Sequence, residues 1–136
     1  SGNDKIRGDH GDDLIFGGTG NDTIDAGDGE DTIDGGSGDD GIVAGNGNDQ
    51  VNGGFGNDTV LGGDGDDSIV GGNGSDTLFG QDGDDGITGN GGIDTMDGGE
   101  GVNTLLDADP LIDVLFTPGM PFEITSDILA NLDASN

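Results

Sequence analysis

Eleven aspartates recur at intervals of nine residues: Asp4, Asp13, Asp22, Asp31, Asp40, Asp49, Asp58, Asp67, Asp76, Asp85 and Asp94. Carboxylates serve two kinds of chemistry, proton transfer in pairs and the ligation of hard cations. Neighbouring acids such as Asp39-Asp40 and Asp66-Asp67 imitate a hydrolase pair. An enzyme needs one such pair, however, and recurrence at a fixed period points to ligand duty. No nucleophile–base constellation and no HExxH signature occurs, and the single histidine, His10, reads as a solvated turn residue. No catalytic role is expected. The balance of charge narrows the partners further. Thirty acids against two bases give −28 over 136 residues. Only Lys5 and Arg7 could meet phosphates, so nucleic acid is excluded as a partner. An anionic membrane would repel the chain, and no apolar run approaches the length of a membrane span. With 33 Gly, no Trp, no Tyr, five Phe and no Cys, neither an ordinary core nor disulfides can hold the chain together. Divalent cations are the remaining agent.

The elements that must position these aspartates follow from the repeat that contains them. From Gly8 to Leu106 the chain divides into eleven nine-residue units without insertion or deletion, and residues 1–7 are the tail of a twelfth. With Gly17 as position 1, position 4 is Gly in all twelve units and position 6 is Asp in eleven, Asn103 being the exception. Position 8 is always aliphatic or Met, from Ile6 and Ile15 to Met96 and Leu105. Positions 7 to 9 read as a very short strand with position 8 pointing inward and its neighbours outward. Glycines at positions 1, 2 and 4 are expected to take positive φ and turn their carbonyls inward. A three-residue strand cannot persist alone, but stacked on identical neighbours it forms a ladder around a thin column of position-8 side chains.

GGTGNDTID at 17–25, GGSGDDGIV at 35–43 and GGDGDDSIV at 62–70 resemble the RTX (hemolysin-type) nonapeptide of secreted bacterial proteins. The pattern covers about 106 of the 136 residues. The resemblance implies an all-β fold, a parallel β-roll in which two nonapeptides make one full turn. It also implies several calcium ions, each between glycine-rich turns stacked two repeats apart. The position-6 aspartates would be ligands, Asp13 with Asp31 and Asp49 on one edge, Asp22 with Asp40 and Asp58 on the other. Backbone carbonyls of positions 2 and 4 would complete the shell: Gly11, Gly18, Gly20, Gly27, Gly29, Gly36, Gly38, Gly45, Gly47, Gly54, Gly56, Gly63, Gly65, Gly72, Gly74 and Gly83. Twelve turns in two stacks leave ten gaps, and ten Ca²⁺ would nearly cancel the −22 carried by residues 1–106. Gln81, Asn90, Ile93, Val102 and Asn103 depart from the pattern. The last one or two sites are therefore expected to be weak, leaving about eight to ten ions.

Residues 107–136 change character and contain all three Pro. Leu111–Phe116 is apolar apart from Asp113, Thr117–Pro121 reads as a turn, Phe122–Thr125 as a strand, and Ser126 as the cap of a short helix through Leu132. The segment is expected to cap the roll, with a C-terminal type I secretion signal as the alternative. The chain thus divides into a repeat array at 1–106 and a capping segment at 107–136. Val43, Leu61 and Phe79 share position 9 in every second unit, an outward apolar strip. Cover from the tail, a neighbouring domain or a second copy would each suit it. The expected role is a calcium-folded structural and secretion-assisting module of a larger extracellular or cell-surface bacterial protein. The alternatives are an ice-binding roll, which needs a regular outward Thr row, and the accessory module of an extracellular enzyme.

Overall fold

A computed structural model describes residues 1–106 together with the backbone of 114–116. Thirteen strands follow one another in the order β1 Lys5–His10, β2 Leu14–Thr19, β3 Thr23–Asp28, β4 Thr32–Ser37, β5 Gly41–Asn46, β6 Gln50–Phe55, β7 Thr59–Asp64, β8 Ser68–Asn73, β9 Thr77–Asp82, β10 Gly86–Gly91, β11 Thr95–Asp97, β12 Thr104–Leu106 and β13 Val114–Phe116. Odd strands form one parallel sheet, β1-β3-β5-β7-β9-β11-β13, and even strands a second, β12-β10-β8-β6-β4-β2. Each strand therefore pairs with the strand two units away, as Ile24 with Ile42 and Ile33 with Val51. The result is a parallel β-solenoid of about 6 turns, two repeats to the turn, the all-β architecture expected from the resemblance.

The strands are longer than the sequence pattern predicts. Those of the central units run through positions 7, 8, 9, 1, 2 and 3, leaving only positions 4 to 6 to reverse the chain. The reason is the glycine at position 1. Its φ is not positive, and the residue stays in the strand with its α-carbon facing inward. A methyl group at Gly53 would lie 2.6 Å from both the Asp58 carboxylate and the Gly71 carbonyl oxygen. Small size, rather than unusual backbone geometry, is what position 1 demands, and Ala26 and Ala44 occupy it fully buried. Positive φ is confined to positions 2 and 4, for example Gly18 at 102° and Gly20 at 116°. Where position 2 is not Gly, the conformation persists: Asp9, Gln81 and Asn90 have φ of 76°, 83° and 78°.

Between the sheets run the position-8 side chains, from Ile15 through Met96, in a file one residue wide on each sheet. Ile24, Val60, Ile69, Leu78, Ile87 and Met96 are inaccessible to solvent, whereas Ile6 and Leu105 at the ends are only partly covered. Such a core makes each rung depend on its neighbours, because a single rung buries almost nothing alone. At the far end β13 continues the odd sheet, pairing Val114 with Thr95, Leu115 with Met96 and Phe116 with Asp97. The step from β11 to β13 is one residue longer than the step from β9 to β11. The expected turn at 117–121, strand at 122–125 and helix at 126–132 lie outside the described residues.

Candidate metal centre

The turns at positions 4 to 6 stack along the two edges of the solenoid and bring the aspartates into two columns. Asp4, Asp22, Asp40, Asp58, Asp76 and Asp94 follow the first edge; Asp13, Asp31, Asp49, Asp67 and Asp85, continued by Asn103, follow the second. Their contacts repeat. The main-chain N–H of each aspartate donates to the Oδ1 of its counterpart in the following turn: Asp22 to Asp40, Asp40 to Asp58 and Asp58 to Asp76 at 2.8 Å each, and Asp67 to Asp85 at 2.9 Å. Main-chain bonds lace the same turns on either side. The position-4 N–H donates to the position-3 carbonyl of the next turn, as Gly38 to Phe55, and the position-7 N–H to the position-6 carbonyl of the previous one, as Thr59 to Asp40.

The second carboxylate oxygen is a different matter. Oδ2 of Asp13, Asp22, Asp31, Asp40, Asp49, Asp58, Asp67, Asp76 and Asp85 is shielded from solvent and has no hydrogen-bond partner. The position-6 residues from Asp22 to Asp94 are all buried. An ionised oxygen taken from water without compensation costs several kcal/mol, on the order given for buried ions. The titration of the carboxyls registers that cost. Burial, offset in part by the N–H donor and reinforced by like charges above and below, pushes Asp58 up to about 6 and Asp67 to about 7. Asp40, Asp49, Asp76 and Asp85 are raised for the same leading reason. Carbonyl oxygens are gathered close by. Those of positions 2 and 4 point along the stack at the glycine α-carbon of the next turn, as Gly18 toward Gly36 and Gly20 toward Gly38, with no room there for a Cβ. Apart from one bond to Gln81, the turn bonds among the described residues use position-3 and position-6 carbonyls and leave those of position 4 free. No three acidic or histidine side chains converge among the described residues, so any ion here would draw most of its ligands from the main chain. Unpaired anionic oxygens beside unshared carbonyls make a donor set suited to a hard, oxygen-seeking divalent cation.

A family model of the RTX calcium-binding nonapeptide repeat, four copies long, matches at residues 1–24, 11–42, 25–60, 43–78, 61–96 and 70–105. The chain belongs to that family. Comparison with curated proteins and with solved structures returned no match. RTX repeats bind calcium, they occur in secreted bacterial proteins, and their β-roll is a structural fold with no known catalytic use.

Two features of this RTX array escape a reading limited to positions 1, 4, 6 and 8. Position 5 carries a second ladder, running in the opposite sense. Its Asn, Asp and Ser side chains accept from the main-chain N–H of the matching residue in the following turn, as Asn21 from Asp39 at 3.1 Å, Asp39 from Asn57 at 2.8 Å and Asn57 from Ser75 at 2.8 Å. The recurrence of short polar side chains at position 5 was the available signal. The second feature is in the tail. Asp113-Val114-Leu115-Phe116 repeats the order of positions 6 to 9, and the pairing of β13 gives Val114–Phe116 the registers of positions 7 to 9. The extra residue hides this from a strict count of nine. Elsewhere the outer faces are mixed. Val43, Leu61 and Phe79 do align in register on the odd sheet, Val43 exposed and the others half-buried. His10 ends β1, in place of the expected turn, and its Nδ1 lies 2.8 Å from Asp28 Oδ2. The outward row of threonines at position 7 is broken by Gly41 between Thr23 and Thr59.

Proposed function

We propose that this chain is a calcium-dependent folding module, structural and non-enzymatic, within a larger protein exported by a bacterium. The observation that carries the reading is the double column of buried carboxylate oxygens without partners. Asp4, Asp13, Asp22, Asp31, Asp40, Asp49, Asp58, Asp67, Asp76, Asp85 and Asp94 would hold the ions, with the position-2 and position-4 carbonyls of the flanking turns. Bound calcium supplies the positive charge that lets stacked carboxylates share a dry edge. Without it, the same carboxylates repel and the −28 chain expands. Low calcium before export therefore keeps the chain open, and millimolar calcium outside folds it.

Residues 107–136 complete the module as its cap. Support comes from β13, which extends the odd sheet past β11. The tail is also the proposed cover for the apolar strip Val43–Leu61–Phe79, because β13 enters this sheet two rungs beyond Phe79, through Asp97 to Phe116, and residues 117–136 follow it in sequence. The deciding experiment is far-UV circular dichroism during a calcium titration of the chelator-treated chain. A cooperative gain of strand signal at roughly 10⁻⁴–10⁻³ M calcium is expected, with magnesium a poor substitute because of its small rigid shell. A strand spectrum that persists in EDTA refutes the reading.

A further inference from the structure

On every interior rung the two carboxylate oxygens have separate duties. Oδ1 receives the N–H of the aspartate one turn earlier, and in Asp22, Asp40, Asp58, Asp67, Asp76 and Asp85 Oδ2 lies buried and unpaired against the position-1 glycine. Asn103 has only one oxygen for these two places. The N–H of Asp85 claims it, at 2.7 Å. Turning the amide over would set donor against donor, so the nitrogen must take the other place. Nδ2 does sit there. A methyl on Gly98 would meet it at 2.6 Å, the separation at which methyls on Gly17 and Gly53 would meet Oδ2 of Asp22 and Asp58. From that position Nδ2 donates to the Gly99 carbonyl over 3.4 Å. Gly99 holds position 2, so the amide both presents a partial positive charge and engages a main-chain oxygen that a cation would use. The neighbouring Val102 is a second sign of an ending. Its N–H still donates to Asp84 at 2.8 Å, but its own side chain offers no acceptor to a further turn.

We propose that Asn103 closes the gap between the turns at 83–85 and 101–103 to calcium. The side-chain amide supplies internally what the ion supplies elsewhere, and the second edge ends in a metal-free rung. The proposal rests on the calcium reading above and deepens it: this chain binds one ion fewer than it has gaps. Native mass spectrometry of the whole chain in calcium counts the ions directly. Asn103→Asp, which restores an anionic oxygen in place of Nδ2, is expected to bind one ion more than the wild type. Asp67→Asn, which installs the same amide in mid-column, is expected to lose at least one. Equal counts for the wild type and Asn103→Asp overturn the proposal. Should Asn103→Asp fail to reach the folded spectrum in calcium, Asp67→Asn decides alone, a lost ion sustaining the amide argument and an unchanged count overturning it. A wild type that retains no ion refutes the calcium reading, and this proposal with it, which separates the two failures.

Discussion

Asp58→Ala and Asp4→Ala delete the same carboxylate from the same repeat position, and the structure makes them unequal. Asp58 is 1% exposed, and its Oδ1 accepts the Asp40 N–H at 2.8 Å. Truncation leaves that buried donor unpaired, at a cost of about 1–3 kcal/mol. On the proposed calcium reading it also takes an anionic ligand from two gaps, one shared with Asp40 and one with Asp76. A tenfold loss of affinity in each would add about 1.4 kcal/mol per gap. The total is roughly 4–6 kcal/mol. Asp4 is exposed, would border one gap, and its carboxylate accepts among the described residues only from the Ser1 amino group at 3.4 Å. Its loss should cost only about 1.4 kcal/mol. Urea unfolding at a fixed millimolar calcium concentration, followed by circular dichroism, measures both. With a slope of about 2 kcal/mol/M the midpoints should differ by about 1–2 M. The Asp58→Ala transition should also broaden, since an interior break divides a solenoid into two weakly coupled halves. Asp58→Asn separates the contributions, because the amide oxygen still accepts the Asp40 N–H while the anionic ligand is lost. Coincident midpoints for the two alanine variants, or a lower one for Asp4→Ala, would refute the reasoning.

Acid should partly replace calcium. Asp58 and Asp67 titrate near 6 and 7 in the fold against an ordinary 3.8. The metal-free fold thus binds protons more tightly than the open chain, and the stability this contributes is complete below about 4 and lost as pH rises through 6 to 7. In calcium-free buffer, strand signal should rise as pH falls from 7.5 toward 4, the gain beginning near 6 to 7 and accumulating down to about 4; a flat profile across that window would exclude it. At position 2, Gly54 has φ of 112°, and an added Cβ would run into the Gly36 carbonyl. Gly54→Ala should be less stable than Gly54→Asn by about 1 kcal/mol in thermal melts, since Asn tolerates the left-handed region that Asn90 already occupies. The chain has no Cys, so Leu61→Cys is a clean probe of the apolar strip. Its reaction with a thiol reagent in calcium should speed up several-fold when residues 117–136 are removed, and unchanged rates would mean that the tail leaves the strip uncovered.

The repeat by itself determined the period and the inward column, and it singled out the aspartates proposed as ligands. The period and the inward column follow from strict spacing, with position 8 always apolar and position 6 almost always Asp, whereas the count of two repeats to the turn came from the family resemblance and is seen in the strand pairing. The tertiary structure decided what spacing cannot express. Position 1 looked like another turn glycine, and only the approach of Asp58 Oδ2 and the Gly71 carbonyl to Gly53 shows that it is a strand residue kept small. The position-5 ladder links neighbouring turns through side chains that read, one at a time, as ordinary exposed polar groups. The longer step to β13 defeated a count of nines, because strand pairing tolerates a step one residue longer where a fixed register does not. At Asn103 the sequence could say only that a charge was missing. Which atom faces the gap was settled by the Asp85 N–H, a hydrogen bond that exists only once the turns are stacked.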